Sequence, residues 1–242
     1  MSYKRVLIKI SGEALSGGKG TGYDFDFVSK VCGTVKKCTD MGVQVGIVVG
    51  GGNFWRGVKD GAGKVERVSA DRMGMLATAM NCLAVADVFS QLGAKCKVMT
   101  AVDIQGVGER YDTKKAIEYL EQGCVVMFGC GTGLPFFSTD TAAVLRAAEI
   151  GADAILLAKN IDGVYEADPR HNPDARRYHT VSYDEVLARH LGVMDTTATS
   201  LAMDNAIPVI VFALADPENI VRVLGGEKLG TTVSNDKEIT FI

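Results

Sequence analysis

Three glycine-rich segments of this chain combine permissive backbone with residues that can handle phosphate. They are residues 9–12, 50–53 and 131–140, and each follows a short apolar run rich in Val and Ile. Backbone N–H groups exposed in such turns and at helix N-termini bind anions. Three such turns at neighbouring strand ends would form a long groove that binds anions. The chemistry this predicts is the alignment of two phosphate chains, as phosphoryl transfer requires.

Charged residues accompany the first and third segments. Lys9 lies inside an apolar strand pattern, and burying an unpaired ammonium is costly, so we expect an anionic partner for it. Asp140 either caps a helix or orients Lys9 around a transferring group. Arg56 follows the second segment, where it is either a bidentate phosphate ligand or a solvated surface residue.

The second segment contains three consecutive glycines, at residues 50–52. Three glycines weaken any regular element, and close approach of the backbone to a ligand explains all of them. Asp71 either stabilises a helix N-terminus or accepts hydrogen bonds from a ribose diol. Asp168 either contacts a nucleotide sugar or Mg²⁺, or only begins a turn with Pro169.

Composition restricts the class of protein. With 242 residues the chain is long enough for one large α/β domain or two small ones. Its net charge of −3 argues against a general nucleic-acid or membrane-surface binder. The six cysteines contain no C-x-x-C pair, which favours reduced structural thiols in the cytoplasm, with Cys130 alone near a glycine segment. The three histidines fall in polar sequence without zinc-ligand spacing, so we expect them to be exposed and to hold no metal. We expect no signal peptide and no bilayer-spanning stretch.

Strand and helix patterns alternate along the chain. The predicted strands are residues 5–10, 45–49, 96–99, 125–128, 154–157 and 209–212. The first predicted helix is marked by an apolar stripe at Phe27, Val28, Val31 and Val35 and stops before Gly42. The other predicted helices are residues 68–92, 112–122, 140–150, 184–190, 196–206 and 217–224. This order predicts a three-layer α/β sandwich with a mostly parallel central sheet and ligands beyond the carboxyl strand ends. We interpret residues 1–242 as a single domain with two functional halves that meet near residue 150.

The segments together resemble bacterial-type UMP kinases (uridylate kinases) of the amino acid kinase superfamily. The resemblance rests on KISGEAL from Lys9, GGGN with Arg56, DRMGMLAT from Asp71, GTG with PFFSTD, and DGVYEADP from Asp162. It implies the amino acid kinase (carbamate kinase-like) fold. It also implies transfer of the γ-phosphoryl group of ATP, with Mg²⁺, to UMP, which gives UDP in pyrimidine nucleotide biosynthesis.

The resemblance implies roles for individual residues. The catalytic residues would be Lys9, Arg56 and Asp140. The ATP site would contain Lys9, Ile10, Ser11, Gly12, Gly52, Arg56, Lys159, Asn160, Tyr165 and Asp168. The UMP site would contain Gly51, Asp71, Thr132, Gly133, Leu134, Pro135, Phe136, Phe137, Ser138 and Thr139. A region for GTP as allosteric activator would comprise Gly17, Gly18, Lys19, Gly20, Thr21 and Gly22.

The resemblance also implies a cytoplasmic homohexamer inhibited by UTP, with no side chain assigned to metal and no nucleic-acid or membrane partner. Two positions depart from the family pattern. Leu134 stands where Asn is usual, and the pair Lys159 and Asn160 replaces a segment that touches adenine, with the contacting residue left open. Two alternatives remain, namely a superfamily kinase acting on a carboxylate or carbamate, and a non-catalytic nucleotide sensor or storage protein on the same fold.

Overall fold

A computed structural model describes residues 3–56 and 63–242, and its described strands form one ten-stranded sheet. Numbered along the chain, the strands are β1 (Arg5–Ile10), β2 (Gln44–Val49), β3 (Cys96–Thr100), β4 (Glu109–Arg110), β5 (Val125–Gly129), β6 (Ala154–Lys159), β7 (Tyr178–Ser182), β8 (Val209–Ala213), β9 (Thr231–Ser234) and β10 (Thr240–Phe241). The spatial order is β10-β7-β9-β8-β6-β1-β2-β5-β3-β4.

Eight α-helices within the described part of the chain cover the sheet. They are α1 (Gly12–Leu15), α2 (Phe25–Asp40), α3 (Arg67–Gln91), α4 (Thr113–Glu121), α5 (Thr139–Glu149), α6 (Tyr183–Ala188), α7 (Thr196–Asp204) and α8 (Asn219–Leu224). The predicted alternation of strands and helices is confirmed, with helix ends displaced by a few residues.

Strand β1 lies near the middle of the sheet, in parallel between β2 and β6. The strands β8, β6, β1, β2, β5, β3 and β4 all run in the same direction, so their carboxyl ends meet at one edge. Both faces of β1 and β2 are covered, which explains their nearly continuous Val and Ile sequences. Strand β9 is antiparallel to β8, and β10 is antiparallel to β7.

The core has two halves, one on each face of the sheet. Side chains of α2, α3 and α8 pack on one face, around Val35, Phe89 and Ile220. Side chains of α4, α5, α6 and α7 pack on the other face, around Leu120 and Val144. Helices, sheet and helices make the three layers that the sequence predicts.

Helix α3 corrects one expectation. Its 25 residues include a window with a mean hydropathy of 1.4, so by length and composition it could cross a membrane, although no stretch of that kind was expected. In the structure 44% of that window is buried, and α3 packs against α2, β3 and β5. Packing in the core of the sandwich therefore explains the apolar residues on one face of α3.

The histidine expectation is wrong for one residue. His171 and His190 lie on the surface, but His179 lies in β7 and is partly buried, with a buried Nδ1 that has no hydrogen-bond partner among the described residues. Strand β7 itself was not predicted, because its sequence YHTVS has too few apolar residues to indicate a strand.

Candidate active site

A cavity of about 380 Å³ opens at the carboxyl edge of the central strands. Its wall comes from the three glycine-rich segments and from the first turns of α3. Twelve of the predicted site residues line it: Lys9, Ser11, Gly12, Gly51, Gly52, Arg56, Asp71, Thr132, Leu134, Phe137, Ser138 and Thr139. The fold therefore brings together segments that are more than 100 residues apart in the chain, at the place where open parallel sheets bind ligands.

Lys9 has the anionic partner that its burial requires. It is 8% exposed, and its Nζ lies 2.6 Å from Oδ1 of Asp140 in the first turn of α5. Apart from this ion pair, Oδ1 of Asp140 has no hydrogen bond among the described residues. Ser138, not Asp140, caps α5, since its hydroxyl accepts the N–H groups of Asp140 and Thr141. The carboxylate of Asp140 is thus available to orient Lys9.

A second buried lysine belongs to the same electrostatic group. Lys159 ends β6 on the sheet face that Lys9 also occupies, and its Nζ donates a hydrogen bond to the carbonyl of Val193. Burial lowers the pKa of the Lys159 ammonium, while Asp140 acts to raise it and Lys9 to lower it. The three charged groups are therefore close enough to influence each other, although Lys159 does not line the cavity.

Close backbone contact with the second segment explains Gly12. The hydroxyl of Ser11 accepts the N–H of Ala14 and so caps α1, which places Gly12 against the second segment. A Cβ on Gly12 would clash with the carbonyl of Gly50 and lie 2.6 Å from the backbone nitrogen of Gly52. Only glycine fits here.

Arg56 is the cationic residue that follows the second segment. Its Nη2 lies 2.6 Å from Oε1 of Glu13, which follows Gly12 in α1, and its Nε lies 3.5 Å from the carbonyl of Gly52. Both side chains are more than 40% exposed. An exposed ion pair of this kind contributes little to stability, so a phosphate group can compete with Glu13 for Arg56.

The third segment is held in an unusual backbone conformation. Cys130, Gly131, Gly133 and Phe136 all have positive φ, and for Cys130 and Phe136 this is uncommon. At the end of the segment the hydroxyl of Ser138 donates to Asp195, the N-cap residue of α7. Side-chain contacts of Asp195 therefore connect the third segment with the carboxyl-terminal part of the chain.

The carboxylate of Asp71 is held in position by hydrogen bonds from two directions. Nε of Arg67 lies 2.8 and 2.9 Å from its two carboxylate oxygens, and the N–H of Phe136 donates to it at 2.8 Å. The guanidinium of Arg67 also lies over the ring of Phe136, with Cζ 5.3 Å from the ring centroid. This arrangement joins the start of α3 to the third segment and fixes the carboxylate at the cavity wall.

The residues implied for adenosine lie outside that cavity wall. Tyr165 donates to Asp162 at 2.8 Å, and Asp162 forms an ion pair with Arg177. Asp168 binds Arg170, and this contact lowers the pKa of the Asp168 carboxyl well below its usual range. The remaining implied residues that do not line the cavity are Ile10, Asp140, Asn160, Gly133, Pro135 and Phe136.

Residues 17–22 are exposed and hydrogen-bonded to the second segment. The hydroxyl of Thr21 donates to the carbonyl of Asn53 at 2.8 Å, and the side-chain amide of Asn53 donates to the carbonyl of Gly22 at 3.0 Å. Lys19 donates to the carbonyl of Tyr23. Residues 21 and 22 are therefore joined to Asn53, the residue that follows the glycine triplet.

Sequence reasoning gave no role to several residues that shape this site. They are Glu13, Asn53, Arg67, Thr78, Asn81 and Asp195. Most of them act through partners far away in the chain, which no local pattern reveals. The available signal was polarity in an apolar context, as with Asn81 in α3, where Asn is a poor helix former.

The fold and this site define a class of protein. The chain belongs to the amino acid kinase family, because the model of that family matches residues 4–213. The expected amino acid kinase fold is thereby confirmed.

Solved structures give a closer comparison. The chain is similar to the UMP kinase from Bacillus anthracis, with a TM-score of 0.96 and 36% identity over 100% of both chains. It is similar to the UMP kinase from Ureaplasma parvum, with a TM-score of 0.90 and 36% identity over 97% of this chain and 100% of the other. Uridylate kinase from Archaeoglobus fulgidus matches with a TM-score of 0.73 and 27% identity over 95% and 99% of the two chains.

Proposed function

We propose that this protein is a nucleoside monophosphate kinase that transfers the γ-phosphoryl group of ATP to UMP and so forms UDP. The observation that carries this proposal is the position of Lys9: it lines a cavity formed by all three glycine-rich segments, and its ammonium lies 2.6 Å from Asp140 at the end of the third segment. Similarity to UMP kinases over the full length of the chain supports UMP as the acceptor.

The donor phosphates belong at the first two segments. The backbone N–H groups of Gly12 and Gly52 and the hydroxyl of Ser11 suit the β- and γ-phosphates of ATP, with Lys9 and Arg56 as cations. The adenosine end extends toward Lys159, Asn160, Tyr165 and Asp168. The carboxyl-terminal half of the single domain, beyond about residue 150, would thus hold most of the adenosine.

The acceptor belongs at Gly51, Asp71 and residues 132–139. Asp71 accepts the ribose hydroxyls, and the N-terminus of α5 with Ser138 and Thr139 holds the phosphate of UMP. The backbone of Thr132, Gly133, Leu134 and Pro135 is left to read the uracil, with Phe136 and Phe137 closing the site. Leu134, at 60% exposed, offers no polar side-chain group for this purpose.

The chemistry follows from charge. The attacking oxygen of UMP is a phosphate oxygen that is already ionised, so transfer needs no general base. Catalysis consists of aligning two polyanions and neutralising their repulsion. Lys9 stabilises the charge on the transferring phosphoryl group from one side, and Arg56 stabilises it from the other side. Asp140 holds Lys9 in place.

Magnesium enters with the substrate as MgATP. Among residues 3–56 and 63–242, no group of three His, Cys, Asp or Glu side chains could hold a metal. Mg²⁺ is often held mainly by substrate phosphates and water, and Asp140 is the carboxylate paired with the Lys9 ammonium next to the cavity. Bound with ATP, Mg²⁺ would supply positive charge at the phosphates.

Assembly and control belong to the same proposal. Helix α3 exposes an apolar stripe made by Met73, Leu76, Met80 and Leu83, each more than 40% exposed. Such a stripe is suited to pairing with a second copy of the chain, as in a cytoplasmic homohexamer of the pyrimidine nucleotide pathway. GTP would activate through residues 17–22, whose hydrogen bonds reach Asn53, and UTP would inhibit.

A coupled assay with a panel of acceptors tests the activity. Purified protein is given MgATP with UMP, CMP, glutamate or carbamate, and both ADP and the phosphorylated product are measured. ADP and UDP should form with UMP alone. Product from glutamate or carbamate would favour another superfamily kinase, and nucleotide binding without any product would favour a sensor or storage protein; either result refutes the proposal.

A further inference from the structure

Two buried polar side chains stand one helical turn apart on α3. Thr78 is 2% exposed and Asn81 is fully buried, between neighbours that are mainly Ala, Met, Cys and Leu. Polar side chains are costly in such a place unless they are hydrogen-bonded. Their partners are therefore informative, and each side chain binds a different glycine-rich segment.

Asn81 holds the second segment. Its Nδ2 donates to the carbonyl of Gly50 and to Oδ1 of Asn53, both at 2.7 Å. Nδ2 of Asn53 in turn donates to Oδ1 of Asn81 at 3.1 Å and to the carbonyl of Gly22 at 3.0 Å. Both buried amides use their donors and an acceptor, so the segment is fixed in one orientation relative to α3.

Thr78 holds the beginning of the third segment. Its Oγ1 accepts the N–H of Cys130 at 2.8 Å and donates to the carbonyl of Met75 at 2.7 Å. Cys130 has a φ of 64°, in the left-handed region that non-glycine residues rarely adopt. The hydrogen bond from its N–H helps to hold this conformation, which directs the chain into residues 131–139.

We propose that Thr78 and Asn81 are positioning residues that set the spacing between the donor and acceptor loops. The inference rests on the proposed phosphoryl transfer, in which residues 50–53 contact the transferring group and residues 131–139 hold the acceptor. A helix rises about 1.5 Å per residue, so two side chains three residues apart give a rigid offset of about 4.5 Å. Misplacement by about 1 Å can cost about 100-fold in rate, which gives this rigidity a catalytic effect.

The test uses Thr78→Val, which removes the hydroxyl with little change in volume. Amide hydrogen exchange at residues 130–133 should become faster in this variant, and kcat for UDP formation should fall by about 100-fold. The affinities for ATP alone and for UMP alone, measured by calorimetry, should change far less. Thr78→Ser keeps the hydroxyl and should restore both kcat and slow exchange.

Thr34→Val is the matched control. Thr34 is also 2% exposed, and its hydroxyl lies 3.2 Å from Oε1 of Glu218, away from the cavity wall. This variant loses the same hydroxyl from a buried site, but exchange in the loops and kcat should stay unchanged. A second variant, Asn81→Ala, should speed exchange at residues 50–53.

Several results would overturn the inference. One is unchanged exchange in both loops of folded Thr78→Val and Asn81→Ala. Another is a kcat of Thr78→Ser as low as that of Thr78→Val. A third is a fall in kcat of Thr34→Val as large as that of Thr78→Val. Wild-type protein that forms no UDP would instead refute the proposed function, and the exchange measurements would still decide whether α3 holds the two loops.

Discussion

Variants of the Lys9–Asp140 ion pair can separate the effect of the Lys9 charge on activity from its effect on stability. Lys9→Met removes the ammonium and keeps most of the aliphatic volume, which leaves the carboxylate of Asp140 buried without its partner at 2.6 Å. Breaking a buried pair costs about 3–5 kcal/mol. Lys159 offsets part of this cost because it also interacts with Asp140, so we expect about 3 kcal/mol. For a chain of 242 residues this lowers Tm by about 6–12 °C.

The double variant Lys9→Met/Asp140→Asn should recover much of that stability, because the unpaired carboxylate is gone. The Lys159 ammonium loses the nearby Asp140 carboxylate, but it also loses the opposing charge of Lys9. It should not recover activity, and kcat should stay at least about 100-fold below wild type, as expected when a charge-stabilising donor is lost. The measurements are urea unfolding, thermal unfolding at fixed protein concentration, and UDP formation.

Lys36→Met is the control for this cycle, since Lys36 pairs with Asp40 at 2.7 Å on the exposed face of α2. It should cost only about 0.3–0.5 kcal/mol and leave kcat unchanged. Recovery of kcat in the double variant would refute a catalytic role for Lys9. So would a single variant whose loss of kcat matched only its unfolded fraction.

Three further outcomes are expected. Gly12→Ala should stay largely folded and lose UDP formation, because its Cβ would push Gly50 and Gly52 apart; normal kcat would contradict this. Burial lowers the pKa of Lys159 in the folded protein. Between that lowered pKa and the ordinary lysine pKa of about 10.4 the unfolded chain holds more protons, so the unfolding free energy rises with pH in this window; urea titrations of Lys159→Met should show a smaller rise. Burial raises the pKa of Cys32 to about 12, so native protein should react slowly with iodoacetamide at about pH 8, and all six thiols should react in urea.

Much of the fold could be predicted from sequence because its signals are local. The apolar strands β1, β2 and β5 each end at a glycine-rich turn, and that pattern alone places three candidate phosphate loops at one edge of a parallel sheet. An anionic partner for Lys9 followed from the cost of burying its charge, although the sequence could not decide between a cap and a counter-ion for Asp140. The structure assigns the cap to Ser138 instead.

The remaining features depend on contacts between distant parts of the chain. Asn81 meets Gly50 across 31 residues, and Ser138 meets Asp195 across 57 residues. Neither pair follows from periodicity, since each is set by how helices pack on the sheet. Strand β7 was missed for a related reason, because its sequence is only half apolar and its pairing with β9 supplies the stabilisation.

Lys9 and Arg56 both line the cavity, and they differ in a way that suits phosphoryl transfer. Lys9 is paired with Asp140 in a buried position, so its location changes little when substrate arrives. Arg56 meets Glu13 where both side chains are exposed, and such a contact is weak enough for a phosphate to replace the carboxylate. In the proposed reaction, Lys9 would therefore be fixed where charge moves in the transition state, and Arg56 would follow the substrate into the site. Lys9 is already in place before the substrates bind, and Arg56 exchanges Glu13 for a phosphate. Both effects reduce the free-energy cost of bringing two polyanions together.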